Sequence, residues 1–229
     1  MSQELHKLIK ELREKRKMSQ QKVAEKLGMS RPSYILVEQG KKELSLSEAQ
    51  VISNIFGITL KDMEMGTVAD LDKYKEMIIL FLRSFNNKGN GKVPKTKLAK
   101  LLYLADFSYY YISAKSISGA QYRRIKYGPV PDLYFRALDE LEEEGRIERD
   151  NKKSDVILIS ENDGSKKIPL EKLEKKEVDL IAKIAKKWED KKTREIVNFT
   201  HNQLPYKVCS PDEIIPYELI IQEDPKYVY

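Results

Sequence analysis

The sequence predicts a mostly α protein: a head of five short helices within residues 1–66, a linker at 67–71, and a larger, mainly helical domain with a small β-sheet over 72–229. Three observations carry this. Capping residues recur just ahead of short apolar-periodic runs throughout the first 66 residues. Positive charge is confined to one end: residues 1–42 hold 11 Lys or Arg against 5 Asp or Glu, whereas 43–229 hold 31 against 31. Beyond residue 70, long amphipathic segments alternate with glycine- and proline-bearing stretches and short alternating ones.

In the head, Leu5, Leu8, Ile9 and Leu12 repeat at helical spacing. Ser19 caps a second helix carrying Val23, Ala24 and Leu27, and Gly28 supplies the backbone freedom of a sharp turn. Ser30 caps a third helix with Pro32 in its first turn, where the missing N–H is harmless, and Gly40 stops it. Ala24 is small enough to let the two helices cross closely, with Tyr34 and Val37 facing inward. Ser45 with Glu48, then Thr59 with Asp62, read as two further capping boxes.

Gln20, Ala24, Gly28, Ser30, Arg31, Glu38, Gly40 and Gly57 fall in one register, and residues 3–65 resemble the helix-turn-helix domain of the Xre and phage Cro-repressor family. That resemblance implies that Gln20 touches a phosphate and that the helix from Ser30 to Gln39 enters the major groove. It turns Arg31, Pro32, Ser33, Ile35 and Leu36 toward the bases. Polar or basic side chains are usual at the last two positions; apolar ones cannot hydrogen-bond base edges but can pack on thymine methyls. The charge surplus adds Lys15, Arg16, Lys17, Lys22, Lys41 and Lys42 as phosphate-neutralising groups, or else as a merely solvated face. The DNA-binding set is then Gln20, Ser30, Arg31, Pro32, Ser33, Leu36, Lys41 and Lys42. Operator binding implies a homodimer or higher homo-oligomer, because one short helix reads few base pairs.

Length and composition exclude several classes. A chain of 229 residues with a single cysteine, Cys209, has no internal disulfide. It shows neither a basic-then-apolar leader nor a membrane-length apolar run, so a cytoplasmic protein without membrane contact is expected. His6 and His201 are the only histidines, and no phosphate loop, dinucleotide fingerprint or metal-ligand cluster is present. No enzyme, cofactor or metal is expected.

In the second domain, Leu71, Tyr74, Met77, Ile78 and Phe81 mark a helix that runs into the loop 86–91. Leu98, Leu101, Leu102, Ala105 and Tyr109 mark a long one over 94–115. Residues 121–127 alternate as a strand, and Gly128-Pro129-Val130-Pro131 is expected to turn the chain. A helix over 132–144 stops at Gly145, residues 146–149 and 156–160 pair as a hairpin, and helices follow over 173–188 and 193–201 before a polar, proline-broken tail.

Three blocks in order, KTKLAKLLYLADF (95–107), GAQYRRIKYGPVP (119–131) and THNQLPY with PYELI (200–206, 216–220), resemble the Panacea domain over about residues 72–222. One position departs: Tyr206 stands where tryptophan is more usual. The resemblance implies an antitoxin of a toxin–antitoxin pair, which neutralises its cognate toxin by direct binding and represses its own operon through the head. A ligand-responsive Xre-type repressor and an adaptor that delivers a toxin to a protease are the alternatives.

The residues themselves leave choices open. Lys92 to Lys126 carries eight basic residues and one acid, and Asp139 to Asp150 seven acids and two bases; this is either a pair of fields for a protein partner or two solvated faces. Tyr103, Phe107, Tyr109, Tyr110, Tyr111, Tyr122 and Tyr127 are either interface anchors or core. Asp106 either bridges to Lys97, Arg123 or Lys126 or serves the toxin interface, and His201 is read as a helix-end residue bonded to backbone. The candidate toxin-binding set is Lys97, Tyr103, Asp106, Tyr110, Arg123, Lys126, Tyr127 and His201.

Overall fold

The computed structural model describes residues 5–56, 58, 60, 63, 69–86, 91–150 and 156–229. Contacts divide the chain into two units, Met1–Val68 and Ala69–Tyr229.

The first unit contains α1 (Leu5–Lys15), α2 (Gln20–Lys26), α3 (Arg31–Glu38) and α4 (Leu46–Phe56). Its caps form as the sequence dictates. The Ser19 hydroxyl accepts from the Lys22 N–H at 3.1 Å and the Ser30 hydroxyl from the Ser33 N–H at 3.3 Å. At the start of α4 the exchange is reciprocal: the Glu48 carboxylate accepts from the Ser45 N–H at 2.7 Å, and the Ser45 hydroxyl from the Glu48 N–H at 3.2 Å. Gly40 has φ +68°, and a Cβ there would stand 2.9 Å from His6 Nδ1, so both conformation and space require glycine. Ile9, Val23, Ala24, Tyr34, Val37, Ile52 and Phe56 form the core. The expected fifth helix, with its Thr59–Asp62 box, lies outside the described residues, although Ile58 and Met63 are buried in the same core.

One contact in this unit spans 25 residues. Arg13 Nε donates to Glu38 Oε1 at 2.5 Å, and Gln20 Nε2 to Glu38 Oε2 at 3.0 Å, so a nearly buried carboxylate ties α1, α2 and α3 together. Burial pushes the Glu38 carboxyl up, but the hydrogen bonds from Arg13 and Gln20 outweigh it and hold it below the usual range.

The second unit runs α5 (Leu71–Asn86), β1 (Val93–Pro94), α6 (Lys95–Ser113), β2 (Tyr122–Ile125), β3 (Gly128–Pro131), α7 (Asp132–Glu143), β4 (Ile147–Asp150), β5 (Leu158–Glu161), α8 (Lys175–Trp188), α9 (Thr193–Asn202) and α10 (Leu204–Val208). Helix α6 is its axis: α5, α8, α9, β3 and a 3-10 turn at Tyr217–Gln222 pack around it. Every residue from Lys97 to Ser108 is buried. A helix enclosed on all sides should be apolar all round, so Lys97, Lys100, Asp106 and Ser108 are the residues on it that need an explanation.

Two sheets flank the axis. Strand β4 pairs antiparallel with β5 as expected, and β5 also pairs with β1, giving the order β1-β5-β4. The second sheet corrects an expectation. Gly128–Pro131 is not a turn but a strand, paired antiparallel with β2, and the chain reverses at Lys126–Tyr127. Proline lacks only the ladder donor, and in a two-stranded ribbon each strand has an edge on which that loss costs nothing.

The tail also differs from the reading of a polar, broken segment. Ile215, Ile220 and Val228 are buried, Tyr217 packs on Phe107 at 4.5 Å between ring centroids, and the Ser108 hydroxyl donates to the Val228 carbonyl at 3.3 Å. Among the described residues, no helix is long and apolar enough to cross a membrane.

Candidate functional site

In the first unit the candidate surface is the outer face of α3. Ser30, Arg31 and Pro32 are exposed at its start, Ser33 and Ile35 are half-buried, and Leu36 stands 42% exposed. The Ser33 hydroxyl accepts from Ser30 Oγ at 3.0 Å. The N–H groups of Lys41 and Lys42 both donate to the Leu36 carbonyl, at 2.8 and 3.1 Å, which places two lysines beside the exposed leucine. Lys41 is exposed and Lys42 lies 3.4 Å from Glu48. Gln20 is half-buried, with one amide hydrogen committed to Glu38.

Not every basic residue of the head is available to a phosphate. Both Arg16 guanidinium nitrogens donate to carbonyls at the end of α4, Ile55 and Phe56, at 2.6 Å each. That cation satisfies a helix C-terminus, a role its place in a basic run did not reveal. The Lys15 side chain lies outside the described residues.

In the second unit, three of the sequence-derived candidates are internal. Lys97 Nζ donates to the carbonyls of Glu189 at 3.2 Å and Lys191 at 2.7 Å, closing the end of α8. Tyr103 has no exposed surface and packs on Phe107 and Tyr122, at 4.3 and 5.4 Å. Asp106 is also wholly buried and bridges to no cation. Its carboxylate accepts from the Ser118 N–H (2.8 Å), the Ser118 hydroxyl (2.6 Å) and the Tyr122 hydroxyl (2.8 Å). Burial pushes that carboxyl up to about 6 against the pull of those hydrogen bonds. All three are therefore corrected from partner contacts to supports of the core.

The remaining five reach the surface to differing degrees. Tyr110 is half-buried, stacked on Tyr217 at 5.4 Å, with its hydroxyl donating to Glu218 at 3.1 Å. Arg123 donates to the Asp212 carbonyl at 2.9 Å. Lys126 and Tyr127 form the exposed tip of the β2–β3 ribbon, with Tyr127 at 68%. The His201 ring stacks on Tyr206 at 4.4 Å and 8°.

The acidic run, read from sequence as either a partner field or a solvated face, is drawn into ion pairs. Glu140 and Glu144 both pair with Lys75, at 2.9 and 2.6 Å, while Arg149 pairs with Asp139 and Glu142, at 2.6 and 3.2 Å. The acidic run is thus largely neutralised within its own unit.

Sequence reasoning missed one residue. Lys100, on α6, has no exposed surface, and among the described residues its one hydrogen bond goes to the Pro129 carbonyl at 3.0 Å. Burial alone draws its ammonium down to about 7. Beside it, His201 Nε2 is buried and makes no hydrogen bond. Burial first, and then the Lys100 and Arg124 charges, lower the affinity of His201 for a proton, against the pull of a hydrogen bond to the Tyr127 backbone. Gly128 completes the cluster: a Cβ there would lie 2.6 Å from Lys100 Cε, 2.9 Å from Lys100 Nζ and 2.7 Å from His201 Nε2. The available signal was a lysine spaced among Leu98, Leu101, Leu102 and Ala105 on a helix with no polar face. Among the described residues no group of three or more His, Cys, Asp or Glu side chains is placed to hold a metal ion.

Comparison with protein families finds a match within each unit. Residues 9–63 match a helix-turn-helix family model, and residues 98–206 match the model described as "Antitoxin SocA-like, Panacea domain". Neither is an enzyme family. No curated protein and no solved structure matches the chain. By these matches the chain carries an Xre-type helix-turn-helix domain at residues 9–63 and a segment similar to SocA-like Panacea antitoxin domains at residues 98–206.

Proposed function

We propose that the protein is an antitoxin that binds and blocks a cognate toxin through the second unit and represses its own operon through α3. The observation that carries this reading is the pairing, in one chain, of an antitoxin-type domain with a helix-turn-helix domain whose third helix keeps Arg31, Pro32 and Leu36 exposed. The mechanism is stoichiometric occlusion, without turnover. Helix α3 has 8 residues, enough for one half-site, so repression calls for a symmetric dimer or higher oligomer on a palindromic operator in the cytoplasm.

Co-expression tests the reading directly. The adjacent reading frame, induced alone, should arrest growth, and this chain should restore it. In parallel, the full chain should retard a duplex from its own promoter at concentrations that leave a scrambled duplex free. A harmless neighbour, or a toxic one that this chain does not neutralise, removes the antitoxin half. Equal retardation of both duplexes removes the repressor half.

A further inference from the structure

The tip of the β2–β3 ribbon is built against the usual preferences of a tight turn. The register sets Ile125 opposite Gly128, so Lys126 and Tyr127 alone reverse the chain. Two-residue reversals favour Asn, Asp and Gly, which tolerate positive φ. Here the positive φ falls one residue later, at Gly128 (+96°), and the apex carries a long cation and an aromatic ring instead. Tyr127 stands 68% exposed, with Lys126 Nζ 5.8 Å from its ring centroid. Among the described residues neither side chain has a hydrogen bond or an ion pair.

The backbone of this apex is nevertheless clamped from beneath. Lys100 Nζ donates to the Pro129 carbonyl at 3.0 Å, the Tyr206 hydroxyl to the Ile125 carbonyl at 2.9 Å, and His201 is hydrogen-bonded to the Tyr127 backbone. Tyr206 is fixed in turn, because Arg124 Nε donates to its carbonyl at 3.0 Å. Three helices, α6, α9 and α10, thus grip a turn that needs no such support merely to reverse the chain. Lys100 shows this most clearly. A wholly buried ammonium with one neutral partner carries a desolvation penalty that methionine would avoid, and what the lysine does in its place is hold Pro129. The charge around the apex is also one-sided. Residues 119–131 contain no acid, and among the described residues Lys100, Arg124 and Lys126 pair with no carboxylate.

We propose that Lys126 and Tyr127 are the anchor by which the second unit docks its protein partner, the tyrosine ring entering an apolar cleft on that partner and the lysine meeting carboxylates at the cleft's rim. The proposal rests on the antitoxin reading for the existence of the partner. A tyrosine brings a large contact area on two side-chain torsions, and such residues dominate the energy of interfaces. An apex already immobilised by Lys100, His201 and Tyr206 has little backbone freedom left to lose on binding. Positive charge without counter-ions selects an acidic rim and turns a basic one away. Exposure alone does not single the apex out, since Ile112 on α6 is 67% exposed; the clamp and the one-sided charge do.

The test is the affinity of the full chain for the product of the adjacent gene, with thermal melting of each variant alongside. Tyr127→Ala should melt with the wild type and bind about thirtyfold more weakly. Lys126→Glu should lose about tenfold at low salt, and the gap to wild type should close as salt is added. Ile112→Ser should bind as the wild type does. A gene product held equally by wild type, Tyr127→Ala and Lys126→Glu overturns the anchor and leaves the antitoxin reading standing, as does an equal loss in Ile112→Ser. If Tyr127→Ala instead breaks an oligomer of this chain in sedimentation and keeps its affinity for the gene product, the ribbon joins two copies and the anchor is overturned. A wild-type chain that does not bind the gene product removes the antitoxin reading and the anchor together.

Discussion

The two units use the same residue types in opposite ways. In the first, Lys7, Lys10, Lys22, Lys26, Arg31 and Lys41 are exposed, so most of the local charge surplus is displayed to solvent. In the second, the cations of the apparently basic run 92–126 are largely drawn inward: Lys97 to two carbonyls, Lys100 to one, Arg123 and Arg124 to the Asp212 and Tyr206 carbonyls. Charge in sequence becomes field at a surface only where the fold does not consume it. A long-range attraction for nucleic acid therefore belongs to the head, and under the proposed antitoxin role the second unit would recognise its partner by shape and a few specific groups rather than by a broad field.

The sharpest way to break this contrast is inside the head, at Arg13, whose guanidinium is held by the nearly buried Glu38 carboxylate. Replacing Arg13 by Leu strands the Glu38 carboxylate and should cost about 3–5 kcal/mol. The chain has a single tryptophan, Trp188, in the second unit, so urea unfolding followed by far-UV circular dichroism should show an early transition that Trp188 fluorescence does not. A Trp188 transition that moves with it would show that the two units do not unfold independently.

Next in size is pH. Asp106 is raised from 3.8 to about 6 in the fold, so its stabilising contribution is fully present below 3.8 and lost as pH rises through about 6. Lys100 is depressed from 10.5 to about 7, so its contribution is present above 10.5 and lost as pH falls through about 7. Stability reported by Trp188 should therefore pass through a minimum near neutrality. The rise in stability above pH 7 should be absent in Lys100→Met.

Smaller effects separate reading from gripping. Arg31→Ala should weaken binding to the promoter duplex by about 1–3 kcal/mol and leave random duplex nearly untouched if the guanidinium reads a guanine; equal loss on both assigns it to phosphate. Smallest is the apolar contribution of Leu36. Exchanging thymine for deoxyuridine across the half-sites should weaken wild-type binding by about 1 kcal/mol, and Leu36→Ala should bind both duplexes alike. A wild type that ignores the methyl groups would free Leu36 for a protein contact.

What was legible in the sequence was local. Ser19, Ser30 and the Ser45–Glu48 pair act within four residues, and each formed the cap that its spacing implied. What was hidden depends on distance along the chain. Arg13 meets Glu38 across 25 residues, Arg16 meets Ile55 across 39, and the two-residue strand β1 finds β5 across more than 60, contacts that no periodicity encodes. The Gly128–Pro131 strand was obscured because proline reads as a break unless one knows that its partner lies on a two-stranded ribbon. Of the candidate partner contacts, the exposed Lys126 and Tyr127 were visible as polar and aromatic residues near a glycine. Tyr103 and Asp106 were misjudged because α6 is buried on all sides, and one helical face looks like any other until its neighbours are placed.

The packed tail has a consequence for synthesis. Ile214 bridges to Arg123, the Tyr217 hydroxyl donates to the Ala120 carbonyl at 2.6 Å, and Ile220 sits wholly inside. On a ribosome the buried residues of the head have all emerged once Met63 has, while the aromatic cluster around Tyr122 stays unroofed until residues 214–228 emerge. The first unit can thus close its core well before the second unit does, and a chain that lacks residues 214–228 would carry a packed helix-turn-helix head beside an open second core.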